Sequence, residues 1–283
     1  MRFSRNAPLL CLAVIWWRRQ SAPPIPRHHP TPHTAVALHL LRGLAFAHGR
    51  HIVHTDLKAD NILFTTGSTR EDIDKWVTGD PPRRNPPEMS SDGIVQSAVS
   101  QPMNLPSEEE ASKATYVLSN FGSAQPSNLH ANRTITTPQH RAPEVLGGEW
   151  DKPADIWAFR CLVYELVTSR ALFSYRPNDI YGFSETENLL YQLALKAGKS
   201  FRAAQLKTWP NAIEYFHLDN CRLRGDPRIF DYGIEYNIGR LEIMSWNDTL
   251  PISEFIWRCL RLNPDERATA TDLLDDEWFA GVE

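Results

Sequence analysis

The segment from Pro153 to Thr168 places Ile156, Trp157, Leu162, Val163 and Leu166 on most faces of one helix. Such a helix has no side that water could wet cheaply, so other elements must surround it. A chain of 283 residues with 42% hydrophobic content is long enough for one large domain or two small ones with a substantial buried core. Further helices are predicted at 34–48, where Val36, Leu40, Leu41, Leu44 and Ala47 recur at three- to four-residue spacing before Gly49, and at 188–197, 252–262 and 269–276. Thr269 is the expected N-cap of the last. Short strands are predicted at Ile52-Val53 and Tyr116-Val117-Leu118. The fold class is therefore mainly α (α+β), with few strands and no internal repeat.

Two stretches fall outside this pattern. Residues 1–33 read as a disordered or artefactual leader; the apolar run from Pro8 to Trp17 is too short for a spanning helix, and Arg18-Arg19 stands where small cleavage-site residues belong. An acid-free, arginine-bearing start also fits an organellar transit segment. Residues 65–115, with Pro81-Pro82, Pro86-Pro87 and Glu108-Glu109-Glu110, read as a largely irregular surface insertion. Charge is uneven as well. Residues 1–55 hold seven arginines and no carboxylate, whereas residues 56–283 hold 34 acidic against 23 basic residues. An acidic body disfavours direct nucleic-acid binding and suits a basic peptide partner. Cys11, Cys161, Cys221 and Cys259 form no C-x-x-C pair, which points to reduced thiols and to neither a zinc site nor a disulfide framework.

The chemistry concentrates in His54-Thr55-Asp56-Leu57-Lys58-Ala59-Asp60-Asn61. A loop with a carboxylate, an ammonium and an amide at this spacing can converge them on one phosphoryl group. The run resembles the protein-kinase catalytic loop H-R-D-L-x-x-x-N, a pattern that small-molecule phosphotransferases share. The rest of the kinase pattern follows in order. Asn120-Phe121-Gly122 stands where D-F-G belongs, Arg141-Ala142-Pro143-Glu144 matches the A-P-E element, Asp155-Ile156-Trp157 resembles the start of the buried kinase helix, and Asn263-Pro264-Asp265-Glu266-Arg267 resembles the late arginine motif.

The resemblance implies a protein-kinase-like C-terminal lobe over residues 34–280, with 65–115 as a spacer between the catalytic loop and the N-F-G segment. It implies Asp56 as the base for the substrate hydroxyl, Lys58 as the group neutralising the transferring phosphate, and Lys58, Asn61 and Asn120 as contacts to ATP and Mg²⁺. Asn61 and Asn120 would be the metal ligands. Structural roles fall to Asp155, which anchors the catalytic loop, and to an ion pair between Glu144 and Arg267. Thr55 in the usual arginine position, together with the spacer, resembles the fungal SR-protein kinases. Membership there implies phosphorylation of Ser or Thr in Arg/Ser-rich proteins, activity without an activation-loop phosphate, no membrane association, and a cytoplasmic or nuclear location. Thr136 and Thr137 are then ordinary loop residues.

Three departures from the kinase pattern shape the functional expectation. No G-x-G-x-x-G, strand lysine or partner glutamate helix precedes Asp56, so the ATP-clamping N-lobe is read as missing. Asn120 removes a full negative charge from the principal Mg²⁺ site, which weakens ATP and Mg²⁺ binding. Arg160 stands where the buried helix usually has glycine, and must snorkel, pair or distort the packing. A pseudokinase or truncated kinase fragment acting as a peptide-binding scaffold is the alternative.

Overall fold

The computed structural model describes residues 9–11, 32–65, 67–91, 93–99, 107–129, 134–147, 149–197, 201–230 and 232–282. Strand β1 (Leu9–Cys11) is followed by α1 (Pro32–His48), β2 (Ile52–Val53) and β3 (Ile62–Thr65). Then come α2 (Arg70–Gly79), β4 (Glu88–Ser90), β5 (Gly93–Val95), α3 (Glu108–Lys113), β6 (Tyr116–Leu118) and β7 (Gln125–Pro126). The body is helical: α4 (Pro143–Gly147), α5 (Pro153–Thr168), α6 (Glu185–Lys196), α7 (Ala203–Thr208) and α8 (Ala212–Tyr215). A small hairpin, β8 (Phe216–His217) with β9 (Arg222–Leu223), precedes α9 (Ile234–Gly239), α10 (Trp246–Cys259) and α11 (Ala270–Leu274).

Helix α5 is the axis of the core. Trp157, Ala158, Phe159, Leu162 and Val163 are almost wholly removed from water, and burying a side chain such as Leu162 or Phe159 stabilises the fold by about 1.5–3 kcal/mol. Trp157 stacks on Phe173 with ring centroids 5.8 Å apart, and Phe159 meets Phe255 of α10 edge to face at 6.1 Å. Helix α1 packs against α5, β6, α3 and α11. The predicted helices are present with shifted bounds. Helix α6 starts earlier because Ser184 and Glu187 form a capping box, and α10 starts at Trp246 because Ser245 accepts from the Asp248 amide. Pro251 lies inside α10, at the loss of one backbone hydrogen bond.

The sheets place the catalytic segment. Strand β3 pairs antiparallel with β6 and with β1, and β2 pairs with β7, so the residues 54–61 leave one sheet and enter another. Strand β1 lies within the stretch read from sequence as a leader; the rest of that stretch up to residue 31 is outside the described residues. The spacer is more ordered than its composition implied. Thr69 with Asp72 and Ser107 with Glu110 form capping boxes that start α2 and α3, and Met89 faces Ile94 across the β4–β5 hairpin. Its side chains are nevertheless mostly exposed, consistent with a surface insertion. Among the described residues no helix is long and apolar enough to cross a membrane.

Candidate active site

Asp155, at the start of α5, organises the loop that carries Asp56. Its buried carboxylate accepts the His54 amide at 2.7 Å, the Thr55 amide at 2.9 Å and His48 Nε2 at 2.9 Å. Thr55 sits at φ 70°, an unfavourable left-handed conformation for a β-branched residue. Three bonds enforce it: its amide to Asp155, its hydroxyl donating to the Ser123 carbonyl at 2.9 Å, and its carbonyl accepting the Thr136 amide at 3.0 Å. Such strain, about 1–3 kcal/mol, survives only where the surroundings over-determine it. His54 is also fixed. Its Nε2 donates to the Ser119 carbonyl at 2.8 Å, its Nδ1 accepts the Asp56 amide at 3.3 Å, and its ring meets Phe121 edge to face at 4.8 Å.

Asp56, Lys58 and Asn61 come together as their spacing on one loop predicts, and Asn120 joins them as the kinase resemblance implies. Lys58 Nζ lies 2.8 Å from Asp56 Oδ2, and both side chains keep about a quarter of their surface open. Asn61 Nδ2 donates to Asp56 Oδ2 at 2.9 Å and to the Asp56 carbonyl at 2.6 Å, which aims the carboxylate. Asn120, itself left-handed at φ 63°, donates from Nδ2 to Asn61 Oδ1 at 2.9 Å.

That last contact bears on Mg²⁺. Two oxygens brought together to hold a cation need positive charge between them, and here Asn120 turns an N–H donor, in place of an oxygen, toward Asn61 Oδ1, using one of that oxygen's two lone pairs. Both expected ligands are neutral amides, whereas Mg²⁺ prefers carboxylate and demands near-octahedral oxygen geometry. No group of three His, Cys, Asp or Glu residues able to hold a metal exists among the described residues. The donor set as arranged fits Mg²⁺ poorly.

The frame beneath the site is closed by Glu144 and Arg267. Arg267 Nη1 and Nη2 lie 2.6 and 3.0 Å from the two Glu144 oxygens, and the guanidinium also donates to the Pro153 and Arg261 carbonyls. Both are buried, and each Glu144 oxygen in the pair takes one guanidinium nitrogen. A cavity of about 340 Å³ adjoins it, lined by Glu144, Glu149, Arg202, Trp209, Asn263 and Asp265 among others, and none of the four clustered residues contributes to it.

Arg160 does not snorkel. It is fully buried, its guanidinium lies 3.9 Å over Trp157, and Nη2 reaches Cys161 Sγ at 3.3 Å. Nε and Nη1 find no partner. Burial pushes the Arg160 pKa down and the Cys161 thiol up, and burial followed by the nearby Arg160 charge brings Lys196 from 10.5 to about 8.

Two contributors escaped the sequence reading. His48, on α1, was seen only as the end of an amphipathic helix. His140 was overlooked although it directly precedes Arg141-Ala142-Pro143-Glu144; its ring reaches both Leu57 and Glu165.

A model of the protein kinase domain matches residues 102–279, more than half of the sequence, and the chain belongs to the protein kinase family. Among curated relatives, the serine/threonine-protein kinase SRPK of Physarum polycephalum is 26% identical over 86% of this chain and 59% of its own length. The serine/threonine-protein kinase AFC1 of Arabidopsis thaliana is 31% identical over 85% of this chain and 47% of its own. SKY1 of Saccharomyces cerevisiae, also a serine/threonine-protein kinase, is 27% identical over 68% and 24%. The chain thus spans between 24% and 59% of the length of these relatives. A crystallised kinase domain superposes with a TM-score of 0.60 at 20% identity, covering 96% of this chain and 71% of that one, which establishes the shared fold.

Proposed function

We propose that the chain is a serine/threonine kinase domain of SR-protein-kinase type that transfers the ATP γ-phosphoryl group to hydroxyls in Arg/Ser-rich proteins, slowly because of residue 120. The observation that carries this reading is the convergence of Lys58 and Asn61 on the half-open Asp56 carboxylate. Asp56 would accept the hydroxyl proton, and the Lys58 ammonium would offset charge on the transferred group. Asn61 would keep the Asp56 oxygen aimed. The acidic charge of residues 56–283 suits an arginine-rich substrate, and the relatives' names support the Ser/Thr class. A nuclear or cytoplasmic site of action follows from the same kinship.

A second reading is favoured by the Asn120 to Asn61 bond, which turns a donor, in place of an oxygen, toward the oxygen that a metal would share. In it the lobe binds basic peptides without transfer. Titration calorimetry with ATP, with and without Mg²⁺, separates the two together with phosphorylation of an Arg/Ser peptide by the chain and its Asn120→Asp variant. Mg²⁺-dependent ATP binding that tightens about tenfold or more in Asn120→Asp, with measurable peptide phosphorylation, supports transfer. Peptide binding with no turnover in either protein supports the scaffold, and absence of both binding and turnover sinks both readings.

A further inference from the structure

His140 ends the turn Pro138–His140 and is buried beside the catalytic loop. Its Nδ1 lies 3.1 Å from the Leu57 carbonyl oxygen, and its Nε2 lies 2.9 Å from Glu165 Oε1 on α5. Both partners are acceptors. A peptide carbonyl has only lone pairs to offer, and so does an ionised carboxylate. A neutral imidazole owns one N–H and one bare nitrogen, so it could satisfy one partner while directing a lone pair at the other's. His54 shows the opposite arrangement, with an acceptor at one nitrogen and an amide donor at the other, which a neutral ring satisfies in full.

The charged groups around His140 are otherwise engaged. On the catalytic loop, Asp56 and Lys58 flank Leu57 and pair with each other at 2.8 Å. On the activation segment, the neighbouring Arg141 donates to the Ile135 and Thr136 carbonyls, both at 3.3 Å. On α5, Glu165 faces the ring directly, with 22% of its side chain open to solvent.

We infer that His140 is held as the imidazolium, donating from both ring nitrogens, and that its half-buried pair with Glu165 fastens the catalytic loop to the central helix through the Leu57 carbonyl. Leu57 directly follows Asp56, so the clamp bears on where the carboxylate stands. His140 is then a positioning residue, one residue ahead of the A-P-E element in the chain. Its protonation state stands on geometry alone; its consequence for turnover rests on the phosphoryl-transfer reading.

The direct test is nitrogen-detected NMR of the full chain, isotopically labelled at histidine, at neutral pH. Both His140 ring nitrogens are expected to resonate as N–H. In Glu165→Gln the glutamine amide can donate to Nε2, and the ring is expected to become a neutral tautomer protonated at Nδ1. One bare nitrogen in the unmodified chain, whether because the proton resides on Glu165 or because one contact is not a bond, overturns the assignment. For the positioning role, His140→Phe keeps an aromatic ring and deletes both donors. It is expected to lower kcat for peptide phosphorylation about ten- to a hundredfold with KM for ATP unchanged. An unchanged kcat refutes positioning, while absence of turnover in the unmodified chain counts against phosphoryl transfer and leaves the spectroscopic result decisive for the clamp.

Discussion

Replacing Arg160 by methionine is expected to stabilise this protein. The guanidinium is fully buried with Nε and Nη1 unpartnered. An unsatisfied buried donor costs about 1–3 kcal/mol, so the two together cost about 2–6 kcal/mol. Stacking over Trp157 at 3.9 Å returns about 2 kcal/mol of this. Arg267 lies 5.0 Å over the same indole, so the two cations also repel. Methionine retains an unbranched stem, near-equal helix propensity and a sulfur contact to the rings worth about 0.3–1.5 kcal/mol. The expected net gain is about 1–4 kcal/mol, the range found when buried ions give way to apolar residues of similar volume. Urea denaturation followed by tryptophan fluorescence reads it as a raised midpoint at constant slope, with about 2–4 °C in Tm for each kcal/mol. Arg160→Lys, which keeps the charge but loses the planar stack, should fall below the unmodified protein. A destabilised Arg160→Met, or a lysine variant as stable as the methionine one, would refute the reasoning.

The remaining expectations concern separate parts of the lobe. Lys196 titrates near 8 when folded and at its ordinary 10.5 when unfolded, so between those values the unfolded chain binds the extra proton and stability rises with pH. Denaturation midpoints compared with Lys196→Met from pH 8 to 10 should show the unmodified chain gaining on the variant; a constant difference refutes the assignment. Asp56→Ala should leave the fold intact and lower any peptide phosphorylation by about 10²–10⁴-fold, with unchanged turnover disproving its role as base. Arg267→Ala leaves Glu144 buried without its bidentate partner and should cost about 3–5 kcal/mol in a denaturation experiment. A loss under 1 kcal/mol would show that water reaches the carboxylate.

What sequence could convey depended on whether a residue acts through periodicity, through motif order or through distant packing. Helices α1 and α5 were legible because their apolar residues repeat at helical spacing, and the convergence of Asp56, Lys58 and Asn61 was legible because all three lie on one short loop. The Glu144–Arg267 pair, separated by 123 positions, was legible only through family resemblance. The order within the spacer was missed because α2 and α3 are capped locally and bury little, so hydrophobic periodicity carries no signal for them. The role of His140 depends on Leu57 and Glu165 meeting it from two other elements, and no local pattern encodes that meeting.

The departures at Arg160 and Asn120 act on different quantities. Arg160 lies in the core, touches none of Asp56, Lys58, Asn61 or Asn120 in its hydrogen bonding, and burdens the folded state. Asn120 burdens nothing in folding, because its amide gains a bond to Asn61 that a carboxylate there could not make. An aspartate at 120 would instead bring a second oxygen against Asn61 Oδ1 and depend on a cation to relieve the repulsion, which is the arrangement a metal-dependent phosphotransferase needs. The two substitutions should therefore differ in their dependence on the ion: Arg160→Met raises the denaturation midpoint with or without Mg²⁺, Asn120→Asp lowers it without the ion and recovers when Mg²⁺ is added, and the two effects add because the sites share no partner.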